Sequence, residues 1–499
     1  MFKGKKFALM VLPLCLSAFG LVSCKNDREL VTDRGTIRDE IVDIELRTTA
    51  GTDTIKVLQN LAEKFRDEKG GNEPNIYVSV NKYSGNYSSL ATDIKNGFSA
   101  GTHPDMAMVY PDAVADFIDA GFCYNLDSKK YMQNETYGWD EEDKSDLIES
   151  FLDQGTQYKL PGTYSLPMSV STEVLYYHNS VLNLVIPNVT TENPDDTITL
   201  NEQYLNNLNW EDFFNVLCPS IVAYTETPAG KSLITKENGT AGSGEWAVLG
   251  YDSDDNFYIT LSEQYGIPYT EVDTTTGEGK FLFDNDAAHK KMFEINEYAK
   301  KNYVLTAGST GNRANDYFKT GQVLFSIGST AGSKYQYNQG DDIYVTKIPQ
   351  AKGKDQKMIL QGPSMAFLSH KKDGVPNENR KLASWLFYRY LAEKDNALLW
   401  SLSADYMPIR KSAYQTDDYK EHYSYDQYVK GDYGMLTARI ANYAGTLTDY
   451  FFTTPAFKGT TTAREQVGAV LTKAVKKDST QNDILEQFKK ALEESEKAK

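Results

Sequence analysis

The chain contains 499 residues, with 52 lysines and arginines against 69 aspartates and glutamates, which gives a formal net charge of −17. This acidic balance argues against a nucleic acid partner, because binding to phosphates needs clustered basic residues. Hydrophobic residues make up 40% of the chain, and its 34 tyrosines, 22 phenylalanines and 5 tryptophans exclude disorder over most of its length.

The N-terminus has the pattern of an export signal. Three lysines within the first six residues precede an apolar run over 7–22, which is too short for a stable membrane-spanning helix. The run ends in Leu21-Val22-Ser23-Cys24, which resembles the lipobox of bacterial lipoproteins. We therefore predict a lipoprotein signal peptide over residues 1–23 and a lipid anchor on Cys24 that attaches the protein to the bacterial cell membrane. The alternative is an ordinary secretory signal with a coincidental cysteine.

Residues 24–40 are rich in charge and carry no apolar stripe, so we predict a flexible tether behind the lipidated cysteine.

The next eighty residues alternate between two periodicities. Period-two and buried apolar runs predict strands, and apolar residues three and four apart predict helices. The order is strand 41–46, helix from Asp53, strand 76–80, helix around Leu90 and Ile94, strand 106–110 and helix around Val114. This βαβαβα order predicts a parallel sheet with helices on its faces. Ligands bind at the carboxyl ends of such strands, here near Tyr83-Ser84 and Tyr110–Asp112.

The middle and the C-terminal part are less regular. Residues 186–200 and 270–280 are polar and rich in threonine, and we predict that both are inserted loops. A buried strand is predicted over 323–327, followed by the glycine-bounded segment 328–332, and apolar stripes predict helices around Leu386 and Phe488.

The sequence offers little catalytic or metal-binding chemistry. The five histidines show no paired spacing, and no Ser-His or Cys-His arrangement is recognisable. The segment from Asp252 to Glu263 has acidic residues at EF-hand spacing, but Phe257 occupies the position where the calcium loop needs glycine. We therefore expect no metal and no cofactor, with the metal question near Asp252 left open.

Six segments in order resemble the extracellular solute-binding proteins of ABC importers, specifically the carbohydrate-type family that includes maltose-binding protein. They are 100–110 (AGTHPDMAMVY), 160–179 (LPGTYSLPMSVSTEVLYYHN), 209–214 (NWEDFF), 317–329 (YFKTGQVLFSIGS), 347–350 (KIPQ) and 406–414 (YMPIRKSAY). His178 departs from the family pattern, because it separates Tyr177 from Asn179.

The resemblance implies a two-lobed α/β fold of the periplasmic-binding-protein type II, in which each lobe is a mostly parallel sheet flanked by helices. Lobe 1 would contain residues 41–171 plus 349–395, and lobe 2 would contain 174–343 plus 396–499. The implied function is to capture a sugar or oligosaccharide in the cleft by hinge closure and to deliver it to the transmembrane permease subunits. The protein would act as a monomer and not as an enzyme.

The candidate ligand-binding residues come from the strand ends, the resemblance and the aromatic content. They are Tyr83, Ser84, Tyr110, Asp112, Glu173, Trp246, Ser329, Thr330 and Tyr406. Most have a structural alternative: Asp112 is equally suited to cap the following helix, Glu173 to be a solvated hinge carboxylate, and the two large aromatics to lie in the core. Arg410 is predicted to be structural.

Two other function classes stay open. A surface glycoside hydrolase needs a pair of carboxyl groups across a cleft, and a surface glycan-binding adhesin needs a groove without lobe closure. Cys123 and Cys218 fall in different predicted lobes, where a disulfide would oppose closure, so we predict two free thiols.

Overall fold

A computed structural model describes residues 28–168, 170–237, 241, 244–273, 275–372, 374–422 and 433–499. The signal peptide over 1–23 and Cys24 lie outside these residues. Within the described ranges, no helix combines the length and the apolar character that crossing a bilayer requires.

The described strands are mostly short, and they are numbered in chain order. They are β1 Val42–Thr48, β2 Ile76–Lys82, β3 Met106–Val109, β4 Ser165–Pro167, β5 Glu173–His178, β6 Val185–Pro187, β7 Thr197–Thr199, β8 Ala247–Tyr251, β9 Thr270–Val272, β10 Gly279–Phe281, β11 Val304–Thr306, β12 Val323–Ser329, β13 Ile343–Lys347, β14 Met358–Ile359, β15 Ser364–Phe367, β16 Lys371–Lys372, β17 Val375–Pro376 and β18 Phe451–Phe452.

The helices cover the faces of the sheets and fill the C-terminal part. They are α1 Thr52–Lys64, α2 Tyr87–Gly97, α3 Pro111–Asp119, α4 Glu141–Asp146, α5 Glu149–Leu152, α6 Glu202–Asn206, α7 Trp210–Asp212, α8 Cys218–Thr225, α9 Asp254–Tyr265, α10 Asp286–Lys300, α11 Ala307–Thr310, α12 Ala314–Lys319, α13 Glu378–Leu391, α14 Lys394–Ala404, α15 Asp417–His422, α16 Tyr433–Gly445, α17 Thr460–Val475 and α18 Gln481–Ala498.

Two five-stranded sheets organise the molecule. The first has the order β2-β1-β3-β15-β4 and the second has the order β11-β8-β12-β5-β13. In each sheet the first three strands of the given order are parallel to one another. The fourth strand is antiparallel to both of its neighbours, the third and the fifth. Each sheet has its own large apolar cluster, so the chain forms two α/β lobes. The two-lobed fold agrees with the sequence expectation.

The predicted order of elements from 41 to 121 is confirmed, since β1, α1, β2, α2, β3 and α3 follow one another. The physical reason is visible in α1, where Ile55, Leu58 and Ala62 share one buried face. The predicted strand around 323–327 and the predicted helices around Leu386 and Phe488 are also present, as β12, α13 and α18.

The two segments predicted as plain loops each contain a short antiparallel pair of strands. In the first, Ile186 of β6 pairs with Ile198 of β7, and both side chains are buried. In the second, Phe281 of β10 pairs with Thr270 of β9 and is buried against the second lobe. One or two apolar residues within a polar segment are therefore enough to fix a hairpin on the surface of the core.

The predicted tether differs from the structure over part of its length. Ile37 is buried, and the amide of Asn75 donates to the carbonyl oxygens of Val31 and Ile37 at 2.6 and 2.8 Å. The carboxyl of Glu73 accepts from the backbone N–H of Thr36 at 2.8 Å. The expectation of a flexible tether is therefore wrong for residues 31–37, because the chain there satisfies buried polar groups of lobe 1.

The structure also differs from the expected boundary at residue 396. Trp400 of α14 and the later residues Met407 and Ile409 all belong to the apolar cluster of the first lobe, and α14 packs on α1. The expectation that these three residues belong to the second lobe is therefore wrong. The other predicted lobe boundaries stay predictions.

Both cysteines outside the signal region are free, as expected. Cys123 packs at the edge of a first-lobe cluster, and Cys218 lies in the core of the second lobe.

Candidate ligand-binding site

A cleft between the two lobes encloses a cavity of about 460 Å³. Sheet topology explains its position. Tyr110 follows the carboxyl end of β3, and Asp252 follows the carboxyl end of β8. Glu173 begins β5 directly opposite Ser329, at the end of the antiparallel strand β12. The same edge of each sheet therefore faces the cleft, where ligands bind in open α/β sheets.

The floor of the cleft is formed by the segments that cross between the lobes. Ser171 pairs with Gln361, and Thr172 Oγ1 donates to the carbonyl oxygen of Ile359 at 2.8 Å. The adjacent strand β14 pairs with β18, which brings the residues after β18 to the wall of the cleft. The connections between the lobes thus lie side by side at a few neighbouring crossings, which is the arrangement of a hinge.

Glu173 lies at the first crossing, and its side chain is buried. The hydroxyl of Tyr251 donates to Oε2, and Asn256 Nδ2 donates to Oε1 at 2.9 Å. Burial raises the pKa of Glu173 to about 7, although both hydrogen bonds act in the opposite direction. A solvated hinge carboxylate, the alternative considered from sequence, does not fit this environment.

Arg464 of α17 ties this carboxylate to the wall of lobe 2. Its Nε donates to Asp255 Oδ2 at 2.7 Å, and a second guanidinium nitrogen donates to Asn256 Oδ1. Burial opposes the charge on Arg464, but Asp255 and Asp112 raise its pKa above the ordinary value. Asn256 therefore links Arg464 to Glu173 through its side-chain hydrogen bonds. The hydroxyl of Ser253, the N-cap of α9, donates to Asp255 and accepts from the backbone N–H of Asn256.

Asp112 lies on lobe 1, facing the same centre. The N-cap of α3 is Tyr110, and Pro111 follows it, so Asp112 occupies the first turn without capping the helix. Burial raises the pKa of Asp112, while the positive charge of Arg464 across the cleft and the side chain of Thr460 lower it. The capping role considered from sequence is therefore wrong for Asp112.

Three tyrosines form a cluster on the lobe 1 side. Tyr87 and Tyr110 meet edge to face, with ring centroids 5.0 Å apart. The hydroxyls of Tyr87 and Tyr406 share a hydrogen bond, so Tyr406 contacts Tyr87, which lines the cavity, without lining the cavity itself. Tyr110 remains 37% exposed and borders the cavity, so its ring offers an apolar face to a ligand.

The candidate residues from sequence thus divide into groups. Tyr110, Asp112, Glu173 and Ser329 line the cavity, and Tyr406 supports it through Tyr87. Thr330 is buried in the crossing, where its backbone N–H donates to Thr172 at 2.8 Å.

The other three candidates neither line the cavity nor contact it through a neighbouring residue. Tyr83 is half-buried against a lobe 1 cluster, and Ser84 is exposed beside it. Trp246 precedes the start of β8, at the opposite edge of the second sheet, with Lys236 Nζ 4.4 Å from its ring centroid. A ligand-binding role for these three therefore lacks support in the geometry.

Sequence reasoning missed several lining residues. Those with polar side chains are Tyr87, Ser88, Gln154, Asp252, Ser253, Asp255, Asn256, Arg313, Gln361, Thr453, Thr454, Thr461, Arg464 and Glu465. The group from Asp252 to Asn256 could have been found, because it follows a strand of the second sheet just as Tyr110 follows β3. Arg464 carries no local signal, since only the long connection to α17 brings it to the cleft.

The possible calcium loop is excluded by the local backbone. Helix α9 begins at Asp254, so most of the segment is helical and cannot form the loop of an EF-hand. Asp254 instead accepts from Thr306 Oγ1, Thr472 Oγ1 and the backbone N–H of Gly308, at 2.6, 2.8 and 2.8 Å. Across the described part of the chain, no cluster of three or more acidic, histidine or cysteine side chains is suited to a metal ion.

Comparison with known families adds an independent observation. The model of the bacterial extracellular solute-binding protein family matches residues 60–425. The chain belongs to this family, and it therefore functions outside the cytoplasm as a solute-binding protein. A search of curated proteins finds no match.

Solved structures with the same fold span nearly the whole chain. UgpB from Mycobacterium tuberculosis, solved with glycerophosphocholine, is 16% identical, has a TM-score of 0.64, and covers 92% of this chain and 98% of its own. The GacH receptor of Streptomyces glaucescens, solved unliganded and with acarbose, is 15% identical with a TM-score of 0.58, over 90% and 98%. The MalE domain from Bdellovibrio bacteriovorus, bound to maltotriose, is 14% identical with a TM-score of 0.59, over 91% and 99%. These likenesses establish the fold.

Proposed function

We propose that this protein is the substrate-binding component of an ABC transporter, that it captures a sugar or oligosaccharide in the interlobe cleft, and that it delivers the sugar to a membrane permease. The observation that carries the proposal is the cavity itself, where Tyr110 lies opposite the polar network of Glu173, Asn256 and Arg464. Aromatic faces stack on the C–H faces of sugar rings, and carboxylates and amides bond to hydroxyls. The solved relatives with acarbose and with maltotriose support this class of ligand.

A thermal-shift screen over neutral, acidic and amine-bearing mono- and oligosaccharides tests the proposal. A ligand that binds only the native state at roughly 100 times its Kd stabilises that state by about 2.7 kcal/mol. Glycerophosphocholine belongs in the screen, because a structural relative was solved with it. If that compound or other non-sugar solutes raise Tm and no sugar does, the carbohydrate assignment is wrong.

The membrane anchor is part of the same proposal. Arg28, the first described residue, bonds to Asp43 at 2.5 Å, so the chain leaves lobe 1 beside β1 a few residues after Cys24. We propose that Cys24 is acylated and that residues close to it connect the receptor to the membrane. Labelling of the wild-type protein by a fatty acid analogue, lost in Cys24→Ala, is expected. Equal labelling of both forms would contradict the anchor.

The role of a monomeric receptor without catalysis is proposed from the family and from the site. A glycoside hydrolase is the second candidate, because a carboxyl with a pKa raised to about 7 suits a general acid. Both oxygens of Glu173, however, already accept hydrogen bonds from Tyr251 and Asn256, which favours a fixed binding group. Chromatography of each bound oligosaccharide after prolonged incubation separates the two candidates, since cleavage would establish the hydrolase.

A further inference from the structure

The cleft has an unequal charge composition. Its lining contains five carboxyl groups, from Asp112, Glu173, Asp252, Asp255 and Glu465, and two guanidinium groups, from Arg313 and Arg464. This excess of carboxyl groups over guanidinium groups lies in the lining of the cavity itself. Interactions between charges strengthen where water is excluded, so the excess determines which ligand charge the site accepts.

Both guanidinium groups already have acidic partners within the cleft. Arg464 bonds to Asp255 at 2.7 Å. Arg313 lies close enough to Asp252 to lower the pKa of that carboxyl, although burial raises it. These pairings leave Asp112, Glu173 and Glu465 without a positive group of their own in direct contact among the described residues.

The environment of these three carboxyl groups favours an additional positive charge. The direct hydrogen-bond donors to Glu173 are the neutral groups of Tyr251 and Asn256. Burial and the negative charge of Asp255 raise the pKa of Glu465, which is exposed at the rim. A positive group placed near these carboxyl groups would relieve the repulsion that each experiences from Asp255, which adds to burial in raising their pKa values.

The opposite wall supplies a second feature that suits a cation. Tyr87 and Tyr110 are arranged edge to face, and Tyr110 keeps more than a third of its surface exposed at the cavity. The negative face of an aromatic ring attracts an ammonium group, and the attraction grows when the group is desolvated. The tyrosine rings and Asp112 on the lobe 1 wall, together with Glu173 and Glu465 on the facing wall, are complementary to an ammonium group between them.

We propose that the cleft selects a carbohydrate that carries a protonated amine, in preference to its neutral counterpart, and that it rejects sugars that carry a carboxylate. This inference rests on the proposed function, since it specifies the class of sugar bound at the same site. An amino sugar would place its ring against Tyr110 and its ammonium group towards the carboxyl groups of Asp112 and Glu465, and the positive charge would lower the pKa of Glu173, so that this carboxyl ionises when the ligand binds. A uronic acid would bring another negative charge to a cavity that already has an excess of them.

Isothermal calorimetry on the purified protein tests the selectivity with matched ligands. The series compares glucosamine, glucose and glucuronic acid, the corresponding galactose derivatives, and chitosan oligosaccharides against cello-oligosaccharides, at about pH 6.5, where a sugar ammonium is protonated. We expect the amine-bearing ligand of the best series to bind ~10-fold more tightly than its neutral counterpart, and the acidic ligand to bind ~10-fold more weakly. The gap should narrow at roughly 0.5 M salt, because salt screens charges near the surface.

The outcomes separate this inference from the proposed function. Tightest binding of a neutral or acidic sugar would overturn the charge selectivity and leave the sugar-binding function intact. Binding of no sugar of any charge would overturn both.

Two single-charge variants and a matched control show whether the selectivity arises in the cleft. Glu465→Gln and Asp112→Asn should each reduce the ratio of neutral to amine-bearing Kd by ~3-fold or more. Glu135→Gln removes the same charge from an exposed position outside the cavity, so the ratio should not change. An unchanged ratio in both cleft variants, or an equal change in the control, would overturn the proposal. The Tm of each variant verifies that it is folded.

Discussion

The two walls of the cleft are built in different ways. On the lobe 1 wall, Tyr87 and Tyr110 present aromatic surface, and Asp112 lies in the first turn of α3 with Arg464 as its positive neighbour across the cleft. On the lobe 2 wall, Glu173, Asn256, Arg464 and Asp255 form one continuous network of hydrogen bonds. The lobe 1 wall therefore presents mainly aromatic surface to a ligand, whereas the polar groups of the lobe 2 wall are held in place by their own hydrogen bonds before a ligand arrives.

This difference suggests a division of labour in binding. Preorganised polar groups lose little entropy when a ligand bonds to them, so the lobe 2 network is expected to determine affinity and orientation. Aromatic contacts tolerate small changes in the ligand and contribute through buried area. Variants on the two walls should therefore differ both in size of effect and in whether protein stability changes together with affinity.

The largest effect is expected from Arg464→Ala on the lobe 2 wall. The change leaves Asp255 without its cationic partner and removes the donor that holds Asn256 in place. We expect a loss of about 3 kcal/mol in unfolding free energy and ~100-fold in affinity, because breaking this partly buried pair leaves the charge of Asp255 uncompensated and also leaves Asn256 Oδ1 without its donor. Chemical denaturation and calorimetry measure the two quantities. The double variant Arg464→Met with Asp255→Leu removes both charges, so it should recover part of the unfolding free energy without recovering affinity. If the single and the double variant are equally unstable, the loss of affinity would follow from unfolding, and a role of Arg464 in binding would lose its support.

The second effect is a pH dependence that originates at Glu173. Its pKa rises from 4.5 to about 7 in the folded protein, so the native state holds a proton that the unfolded state has already released. Glu173 is neutral in both the folded and the unfolded state below about pH 4.5, where its contribution to the unfolding free energy is fully present. That contribution is lost as the pH rises through about 7. The expected loss is on the order of 2–3 kcal/mol.

Comparison of Glu173→Gln with the wild type isolates this contribution. The difference in unfolding free energy between the two proteins should shift in favour of the variant between about pH 5 and pH 8. Asp146→Asn on lobe 1 is the opposite control. Burial acts to raise the pKa of Asp146, but the donors Ser412 and Arg410 outweigh it and lower the pKa, so ionisation stabilises the fold there. A pH-independent difference for Glu173→Gln would show that the carboxyl is ionised throughout.

A smaller effect is expected from Tyr110→Ala on the lobe 1 wall. The ring is partly exposed, so its removal should reduce ligand affinity by ~10-fold and leave the unfolding free energy within about 1 kcal/mol of the wild type. Tyr110→Phe keeps the ring and should retain most of the affinity. If Tyr110→Ala destabilises the protein as strongly as Arg464→Ala, the two walls do not differ in the way proposed.

The predictability of the two walls from sequence also differs, for a physical reason. Tyr110 and Asp112 follow a strand within a local βαβ pattern. The spacing of apolar residues in such a pattern predicts both the strand and the edge of the sheet at which it ends. The hinge position of Glu173 came from a family resemblance that spans the first crossing. Arg464, in contrast, lies 208 residues along the chain from its partner Asn256, and only the packing of α17 on α9 brings it near. Local patterns therefore predict elements and strand ends, and long-range networks need the folded chain.

The smallest effect is expected at an ion pair outside the cavity lining. Lys334 of lobe 2 lies 3.7 Å from Asp405 at the end of α14, with both side chains partly exposed. Exposed ion pairs contribute about 0–1 kcal/mol, so Lys334→Ala should change ligand affinity by no more than ~3-fold, and the change should disappear at high salt. Calorimetry at two salt concentrations measures this. Lys352→Ala removes a comparable exposed pair, formed with Asp212 outside the cavity lining, and should leave affinity unchanged. A tenfold loss in Lys334→Ala would instead show that an ion pair between the lobes controls closure and that the network on the lobe 2 wall does not act alone.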